Sequence, residues 1–259
     1  MGEDTVTYHV DLNSDLGESF GAYTIGQDDL VMDYISSANI ACGYHAGDHN
    51  VIQHTVKKAT EKNVGLGAHP GLQDLIGFGR RPMKVSPEEV YNLVVYQIGA
   101  IDTFAKINRN KLNHVKPHGA LYNMAAKDTE ISHAIAEAVY AINPKLILFG
   151  LAGSDLVKAG RKAGLTVAEE VFADRTYQPD GTLTPRTTAG AMIEDPDLAS
   201  SRVIRMIKEG RVEAADGTDI AIQADTVCIH GDGPKSLEFA KRLHKELTLQ
   251  DISIEKAGN

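Results

Sequence analysis

Side chains suited to acid, base or anion chemistry recur at the carboxyl ends of short apolar segments in this sequence. Six of these segments end at or beside such a residue. The set comprises Asp11, Asn13, Asn39, His69, Lys116, His118, Glu170 and His230. Carboxylates and imidazoles act as general bases, and a lysine ammonium stabilises an oxyanion. If the segments are parallel strands, their carboxyl ends meet at one edge, where such folds hold their active sites.

The loops after these segments carry further polar residues. Asp15 and Glu18 follow the first segment, and His45 follows the second. Long loops of this kind, rich in glycine and aromatic residues, are typical of binding loops. The residues that we predict to bind substrate are Asn39, His45, His69, Arg80, Glu170, Asp174, Arg175, Tyr177 and Arg186.

A metal site is left open by the spacing of the histidines. His45 and His49 could bind a divalent cation with Asp11, or with His69 and His118. However, two residues four positions apart share one face only if they lie in a helix. Gly47-Asp48 lies between the two histidines, which argues against a helix that holds both. The sequence favours His49 as the start of a helix and leaves the metal unknown.

The sequence gives weaker evidence for two other kinds of site, a nucleophilic cysteine and an anion site. Cys42 and Cys228 are most simply small buried residues rather than nucleophiles. The segment VCIHGDGPKS is not a P-loop, because Pro234 precedes Lys235. The backbone at the helix start there could hold an anion, or the helix could simply be capped.

Strand and helix patterns alternate along the chain. The predicted strands are Tyr8–Asn13, Ser37–Ala41, Val64–His69, Asn113–Lys116, Leu146–Phe149, Thr166–Glu170 and Thr226–His230. Helix starts are predicted at Asp48, Ser86, Asp128, Asp195 and Pro234, with a capping box at Ser86. Such alternation predicts right-handed βαβ units and a parallel sheet.

Seven units favour a closed or nearly closed β/α barrel, with an open doubly wound sheet as the alternative. Residue parity on the first strand predicts that Asp11 and Asn13 point into the barrel near its carboxyl-end mouth. A single domain covers residues 1–259, with a β-hairpin insertion near 211–222 around Asp216-Gly217.

Composition excludes several classes of function. The net charge of −9 gives no basic surface for nucleic acid or an anionic membrane. No apolar run is long enough to span a membrane, and the amino terminus lacks the pattern of a signal peptide. With two cysteines and no disulfide framework, the chain is expected to be cytoplasmic.

Several long motifs resemble one known family. They are DLNSDLGESFGAY, SANIACGYHAGDH, GAHPGL-x5-FGRR, VKPHGALYN, FADRTYQPDGTLTPR and CIHGDGP. Together they resemble the lactam-utilisation protein B family, identified with the A subunit of bacterial ATP-dependent 5-oxoprolinase. The resemblance implies a distorted seven-stranded β/α barrel related to polysaccharide deacetylases and some glycosidases. It also implies cleavage of 5-oxo-L-proline to L-glutamate, with ATP as co-substrate and Mg²⁺ beside it, and the B and C subunits of 5-oxoprolinase as partners.

That chemistry suggests roles for the mouth residues. The predicted catalytic set is Asp11, Asn13, Lys116, His118 and His230. Lys116, Arg80 or Arg175 would stabilise phosphoryl or carboxylate oxygens, and Asp11, His118 or His230 would be the base. Alternatively, Lys116 pairs with Asp11 and neutralises a buried carboxylate. Two alternatives remain open: a metal-dependent amide hydrolase that works alone, like the deacetylases, and a non-catalytic subunit of the complex.

Overall fold

A ring of parallel strands organises the chain, of which the computed structural model describes residues 7–229 and 236–258. Within these residues the strands are β1 (Tyr8–Leu16), β2 (Ser37–Ala41), β3 (Gly65–His69), β4 (Leu112–Val115), β5 (Ile147–Leu151), β6 (Thr166–Phe172), β7 (Arg211–Glu213), β8 (Asp219–Ala221), β9 (Thr226–Ile229) and β10 (Ile252–Ile254). The sequence-based boundaries agree to within one to three residues, and the end of the last predicted strand, His230, lies outside the described residues.

The ring closes between β9 and β1. Strands β1 to β6 pair in chain order, and β9 pairs in parallel with both β6 and β1. Thr226, the first residue of β9, lies opposite Glu170 on one side and Asp11 on the other. The predicted seven-stranded barrel is therefore confirmed, and the open doubly wound alternative is wrong.

The barrel is distorted at β1. Its first residues, Tyr8–Val10, pair with β10 rather than with β9, and the change of neighbour occurs at Asp11. The sequence analysis missed β10, whose three residues are too few for a clear period-two pattern. Strands β7 and β8 form a separate antiparallel hairpin at the predicted position before β9.

Helices follow most of the strands and cover the outside of the barrel. They are α1 (Asp28–Val31), α2 (His49–Glu61), α3 (Pro87–Ile107), α4 (Gly119–Ala125), α5 (Thr129–Ile142), α6 (Asp155–Ala163), α7 (Pro196–Glu209) and α8 (Ser236–Leu249). The side chains of Asp48, Ser86, Asp128 and Asp195 cap four of them as predicted, and Ser86 forms the full capping box with Glu89. The predicted start of the last helix at Pro234 lies outside the described residues.

Two layers of side chains follow from this arrangement. Val10 and Leu12 of β1 are buried in the apolar core between strands and helices. The alternate residues Asp11, Asn13 and Asp15 are also buried, and they belong to the polar face of the same strand. The barrel interior is therefore polar along β1. Among residues 7–229 and 236–258, no helix has both the length and the apolar character needed to cross a bilayer.

Candidate functional site

Lys116 lies at the centre of the polar barrel interior, directly after β4. Its backbone N–H donates to the carbonyl of Ala68 at 3.0 Å, which continues the pairing of β4 with β3. Its ammonium Nζ lies 2.8 Å from Glu170 Oε1 and 3.0 Å from Asp15 Oδ1. The side chain is 2% exposed. A single buried cation therefore joins two carboxylates that come from different strands, β1 and β6.

The protonation of this group follows from its neighbours. Burial lowers the pKa of Lys116, but the charges around it, with Asp15 foremost, more than reverse this and hold the pKa well above its ordinary value. Nζ also donates to Cys228 Sγ at 3.0 Å. Burial raises the pKa of the Cys228 thiol well above its ordinary value despite that ammonium. Lys116 is thus a stable cation, and Cys228 is a neutral thiol rather than a nucleophile.

Neutral side chains fix the two carboxylates in place. Tyr122 donates its hydroxyl to Glu170 Oε2 at 2.6 Å, and Asn13 Nδ2 donates to Glu170 Oε1 at 3.0 Å. Asn39 Nδ2 donates to Asp15 Oδ1 at 2.9 Å. Glu170 is therefore held from several sides at once and is fully buried, whereas Asp15 retains about 9% exposure.

His114 forms a hydrogen bond with the side chain of Asn39 and holds it in place. Burial lowers the pKa of His114 to about 3, so the ring is neutral, and its Nε2 lies 2.7 Å from Asn39 Oδ1. The ring stacks on Phe149 with centroids 4.2 Å apart. A Cβ added at Gly67 would come within 2.0 Å of His114 Nε2. Only glycine at position 67 leaves room for this ring.

A second group of residues, which we call the histidine cluster, lies beside Asp15. It consists of Glu18, His45, His69 and His118, all of them buried. Their potential ligand atoms all lie within 4.8 Å of one another. His69 ends β3, His118 precedes α4, and the other two lie in the loops after β1 and β2. The carboxyl ends of four strands therefore deliver these residues to one point.

Backbone carbonyls orient two of the imidazoles. His69 Nδ1 lies 2.7 Å from the carbonyl oxygen of Lys116, and His118 Nε2 lies 2.8 Å from that of Phe78. Because a carbonyl only accepts, each of these nitrogens carries the ring proton and donates it. The other nitrogens, His69 Nε2 and His118 Nδ1, face each other at 2.9 Å.

Burial keeps His45 and His118 neutral. It lowers the pKa of both His45 and His118 well below the ordinary value, and the neighbouring imidazoles act in the same direction. The rings of His45 and His118 stack with centroids 3.6 Å apart. The loop around them is tight, since a Cβ at Gly79 would lie 2.7 Å from His45 Cβ. Gly79 also has a positive φ of 62°, a conformation that glycine adopts readily.

Asp15 connects the two groups. Its Oδ1 faces Lys116, and its Oδ2 lies 3.4 Å from His69 Nε2. An atom bound beside Asp15 would therefore meet an ammonium on one side and imidazoles on the other. Such an arrangement can stabilise negative charge on an oxygen and accept a proton from water. Imidazole and carboxylate ligands could also hold a divalent ion, and three imidazoles suit a transition metal better than Mg²⁺.

Asp11 does not lie where the sequence analysis placed it. It accepts hydrogen bonds from Ser36 and Ser37 at 2.7 and 2.6 Å and from Thr226 at 2.5 Å, at the amino ends of β2 and β9. Asp15 is four residues further along β1, or about 13 Å at the usual strand rise. The prediction of Asp11 at the mouth, as base or partner of Lys116, is wrong, because β1 extends to Leu16 rather than ending at Asn13.

Tyr177 is a second correction. It is fully buried, and its hydroxyl accepts a hydrogen bond from the backbone N–H of Phe172 at 2.8 Å. It therefore braces the loop after β6 instead of presenting its hydroxyl to a substrate. The grouping of His45 with His49 and Asp11, which the sequence left open, does not form, and the favoured interpretation of His49 as the start of a helix is confirmed, because His49 is an exposed residue at the start of α2.

Predicted arginines lie near one another on the loops of the mouth. Arg175 is 6% exposed and donates from Nη2 to the carbonyl of Thr184 at 2.6 Å. Burial lowers the pKa of Arg175 to about 10, and the charges of Arg186 and Arg80 add to this. Arg186 and Arg80 themselves are exposed, and Asp174 is half-buried. Within the described residues, the buried Nε of Arg175 has no hydrogen-bond partner.

The structure thus brings together most of the predicted residues and adds others. Asn13, Asn39, His45, His69, Lys116, His118 and Glu170 converge, and His230 lies outside the described residues. Sequence reasoning assigned no role to Asp15, Glu18, Tyr122 or Cys228. The alternation of Asp11, Asn13 and Asp15 was a usable signal for Asp15. Tyr122 lies in a helix and gave no comparable signal.

Comparisons with known proteins identify relatives of this chain in sequence and in fold. A protein from Oceanobacillus iheyensis, named as the A subunit of 5-oxoprolinase, is 70% identical over 96% of this chain and 97% of its own length. The protein of the same name from Bacillus subtilis strain 168 is 59% identical over 95% of this chain and 96% of its own. The crystal structure of a lactam utilization protein from Thermus thermophilus is 47% identical, with a TM-score of 0.91 over 95% of this chain and 99% of that one.

A more distant likeness concerns the fold alone. A putative cellobiose-phosphate cleavage protein from Enterococcus faecalis V583 is 12% identical, with a TM-score of 0.60 over 97% of this chain and 98% of that one. The family model described as LamB/YcsF matches residues 10–259, which is nearly the whole chain. With that match and the identity to its relatives, this chain belongs to the LamB/YcsF family.

Proposed function

We propose that this chain is the A subunit of an ATP-dependent 5-oxoprolinase and carries the site at which the lactam ring opens. The reaction would convert 5-oxo-L-proline and water to L-glutamate while ATP is cleaved to ADP and phosphate. The names of the close relatives support the substrate class. The observation that carries the proposal is Asp15, held between the Lys116 ammonium and the histidine cluster at the barrel mouth.

The chemistry requires what this site offers. A five-membered lactam is an unstrained amide, so its hydrolysis needs activation. Transfer of the γ-phosphoryl group of ATP to the amide oxygen, with ADP as the leaving group, would make the carbon susceptible to attack by water. Asp15 would accept the proton from that water, and a proton passed to the ring nitrogen would let the C–N bond break to an acyl phosphate, from which a second water releases phosphate. Lys116 would stabilise the negative charge on the phosphoryl oxygens, a contribution typically worth ~10²–10³ in rate.

The arginines of the mouth suit an anionic ligand. Arg175 lies in a field of like charge from Arg186 and Arg80, and its buried Nε lacks a partner within the described chain. A buried unpaired donor is costly, and an anion would satisfy it. The carboxylate of 5-oxoproline or a phosphoryl group of ATP would fit. We assign Arg175 to this contact, with Arg80 and Arg186 as outer charges.

We also propose that turnover requires the B and C subunits in the cytoplasm, with ATP bound as its Mg²⁺ complex. The sequence contains no P-loop, and the name of the relatives denotes one of several subunits. The direct test measures glutamate and ADP released from 5-oxoproline and ATP, by this chain alone and after mixing with both partners. We expect equal amounts of both products from the complex only. Stoichiometric production by the chain alone would refute the need for partners, and none from either would refute the activity.

A second candidate function is an amide hydrolase that needs a metal ion and no ATP. The histidine cluster favours it, since imidazole and carboxylate ligands are typical of catalytic zinc sites. Omitting ATP from the same assay separates the two. Glutamate formed without ATP and lost on chelation would replace the first proposal with the second. An Asp15→Asn complex with wild-type turnover would instead indicate a non-catalytic subunit.

A further inference from the structure

Two imidazole nitrogens of the histidine cluster face each other at hydrogen-bond distance, and the other hydrogen bond of each ring already uses that ring's one proton. His69 and His118 each donate one ring proton to a backbone carbonyl, at 2.7 and 2.8 Å. The nitrogens that remain, His69 Nε2 and His118 Nδ1, both carry lone pairs, yet they lie 2.9 Å apart. Two lone pairs at hydrogen-bond distance repel, so a cation must lie between or beside them. The candidates are a shared proton and a metal ion.

We propose that Glu18, His45, His69 and His118 bind a divalent transition-metal ion of the zinc class. Binding of the ion goes beyond the proposed reaction and does not depend on it. The four residues supply three imidazole nitrogens and one carboxylate, ligand types found in zinc proteins. Mg²⁺ prefers oxygen ligands and is not expected here. A shared proton would not explain why a carboxylate and a third imidazole converge on the same point.

The distances match those that a tetrahedral ion imposes. Ligand bonds of about 2.0–2.1 Å place neighbouring ligand atoms roughly 3.3–3.5 Å apart. In the cluster, His45 Nε2 lies 3.2 Å from Glu18 Oε1, and His118 Nδ1 lies 3.6 Å from the same oxygen. With the 2.9 Å contact between His69 and His118, three of the edges of a tetrahedron are within about half an ångström of their expected length. The remaining edges are no longer than 4.8 Å, so they would have to shorten to complete the tetrahedron.

The surroundings also resemble the outer shell of a metal site. Histidine ligands almost always donate their second nitrogen to a carbonyl or carboxylate, which fixes the ring and its tautomer. Here the Lys116 and Phe78 carbonyls do so for His69 and His118. Tight packing at Gly79 and Gly71 limits ring movement, since a Cβ at either would come within 2.8 Å of His45. The ligands are therefore oriented before any ion arrives.

The position of the ion relative to Asp15 suggests its use. Asp15 Oδ2 lies 3.4 Å from His69 Nε2, so the ion would adjoin the carboxylate that faces Lys116. There it would polarise a carbonyl oxygen or lower the pKa of a bound water. This catalytic role rests on the proposed function, whereas the binding of the ion does not.

The test uses the full chain, stripped with a chelator and dialysed against ZnCl₂ with excess Mg²⁺. Metal content is then measured by elemental analysis and affinity by titration calorimetry. We expect one tightly bound zinc per chain and a raised melting temperature. Glu18→Gln, which keeps the shape, and His69→Gln should each weaken binding by at least the 10–100-fold that loss of an outer-shell partner costs. His49→Gln, an exposed histidine four residues from His45, is the matched control and should bind as the wild type does.

The outcomes are distinguishable. Absence of stoichiometric zinc in the wild-type chain would overturn the proposal and favour the shared proton. Equal zinc in wild type and a folded Glu18→Gln chain would overturn the assignment of ligands, even if His69→Gln failed to fold. If zinc binds as expected but the stripped and loaded complexes turn over equally, the site stands and its catalytic role fails. If neither complex releases glutamate while zinc still binds, the proposed function fails and the metal site stands.

Discussion

Replacing Lys116 by methionine removes the only ammonium that the described residues place between Asp15 and Glu170. Methionine has similar length and no charge, so the fold loses little packing. The substitution leaves the carboxylates of Asp15 and Glu170 facing each other without a cation. In the wild type, Lys116 and Glu170 are almost entirely buried. Breaking a buried ion pair by removing one partner typically lowers the free energy of unfolding by about 3–5 kcal/mol. For a chain of this size, that corresponds to a fall in melting temperature of about 6–20 °C.

A double-mutant cycle identifies the cause. Glu170→Gln removes the second charge and keeps one oxygen, which can accept from Tyr122 or from Asn13, because these two donors bond to different oxygens of Glu170. If the cost of Lys116→Met is an uncompensated carboxylate, the double variant should recover about 1–3 kcal/mol as coupling energy. The assays are thermal and denaturant melts of the four proteins, with turnover of the assembled complex measured in parallel. Turnover of Lys116→Met should fall by ~10²–10³. A Lys116→Met chain with native melting and near wild-type turnover would refute both the structural and the catalytic reasoning.

Three further predictions test other parts of the structure. Burial raises the pKa of Asp11 in the folded chain above its ordinary value, so the stability that Asp11 contributes at acid pH is lost as pH rises. Asparagine does not titrate, so the melting temperature of Asp11→Asn should increase relative to that of the wild type between acid and neutral pH. A difference in melting temperature that does not change with pH would contradict this. Gly67→Ala should displace His114 and lower unfolding free energy by about 1–3 kcal/mol in denaturant melts, since overpacking forces shifts in a rigid core; an unchanged midpoint would show that the ring has room. Burial raises the thiol pKa of Cys42 and Cys228, so iodoacetamide should modify them only in denaturant, as mass spectrometry can establish; rapid labelling of the native chain would contradict their burial.

The sequence was most informative about the barrel. Short apolar segments, helix caps such as Asp48 and Ser86, and the hairpin signal at Asp216-Gly217 are local features, and the structure retains them. β10 was not predicted, because its three residues pair with the start of β1 and carry no local signal for a strand. Closure of the ring depends on contacts between β9 and β1, which lie more than 200 residues apart.

The site was less predictable for a related reason. The predicted position of Asp11 depends on where β1 ends. Because Ser14-Asp15 resembles the start of a loop, the predicted strand ends at Asn13 rather than at Leu16, and Asp11 falls too near the mouth. His69 and His118 are separated by many residues, and no spacing rule brings them to 2.9 Å. Tyr177 resembled a binding residue because it lies in a long loop, and only the tertiary structure shows its hydroxyl accepting from Phe172.

The central claim is that chemistry takes place around Asp15, at the carboxyl ends of the strands. The most direct measurement is the rate of coupled glutamate and ADP release by complexes assembled with Asp15→Asn or with Asp11→Asn, two changes on one face of β1 and about 13 Å apart. Loss of the proposed general base and of its contact with Lys116 should slow Asp15→Asn by ~10²–10⁴, while Asp11→Asn should retain a rate near that of the wild type. A wild-type rate for Asp15→Asn, or a loss confined to Asp11→Asn, would contradict the claim.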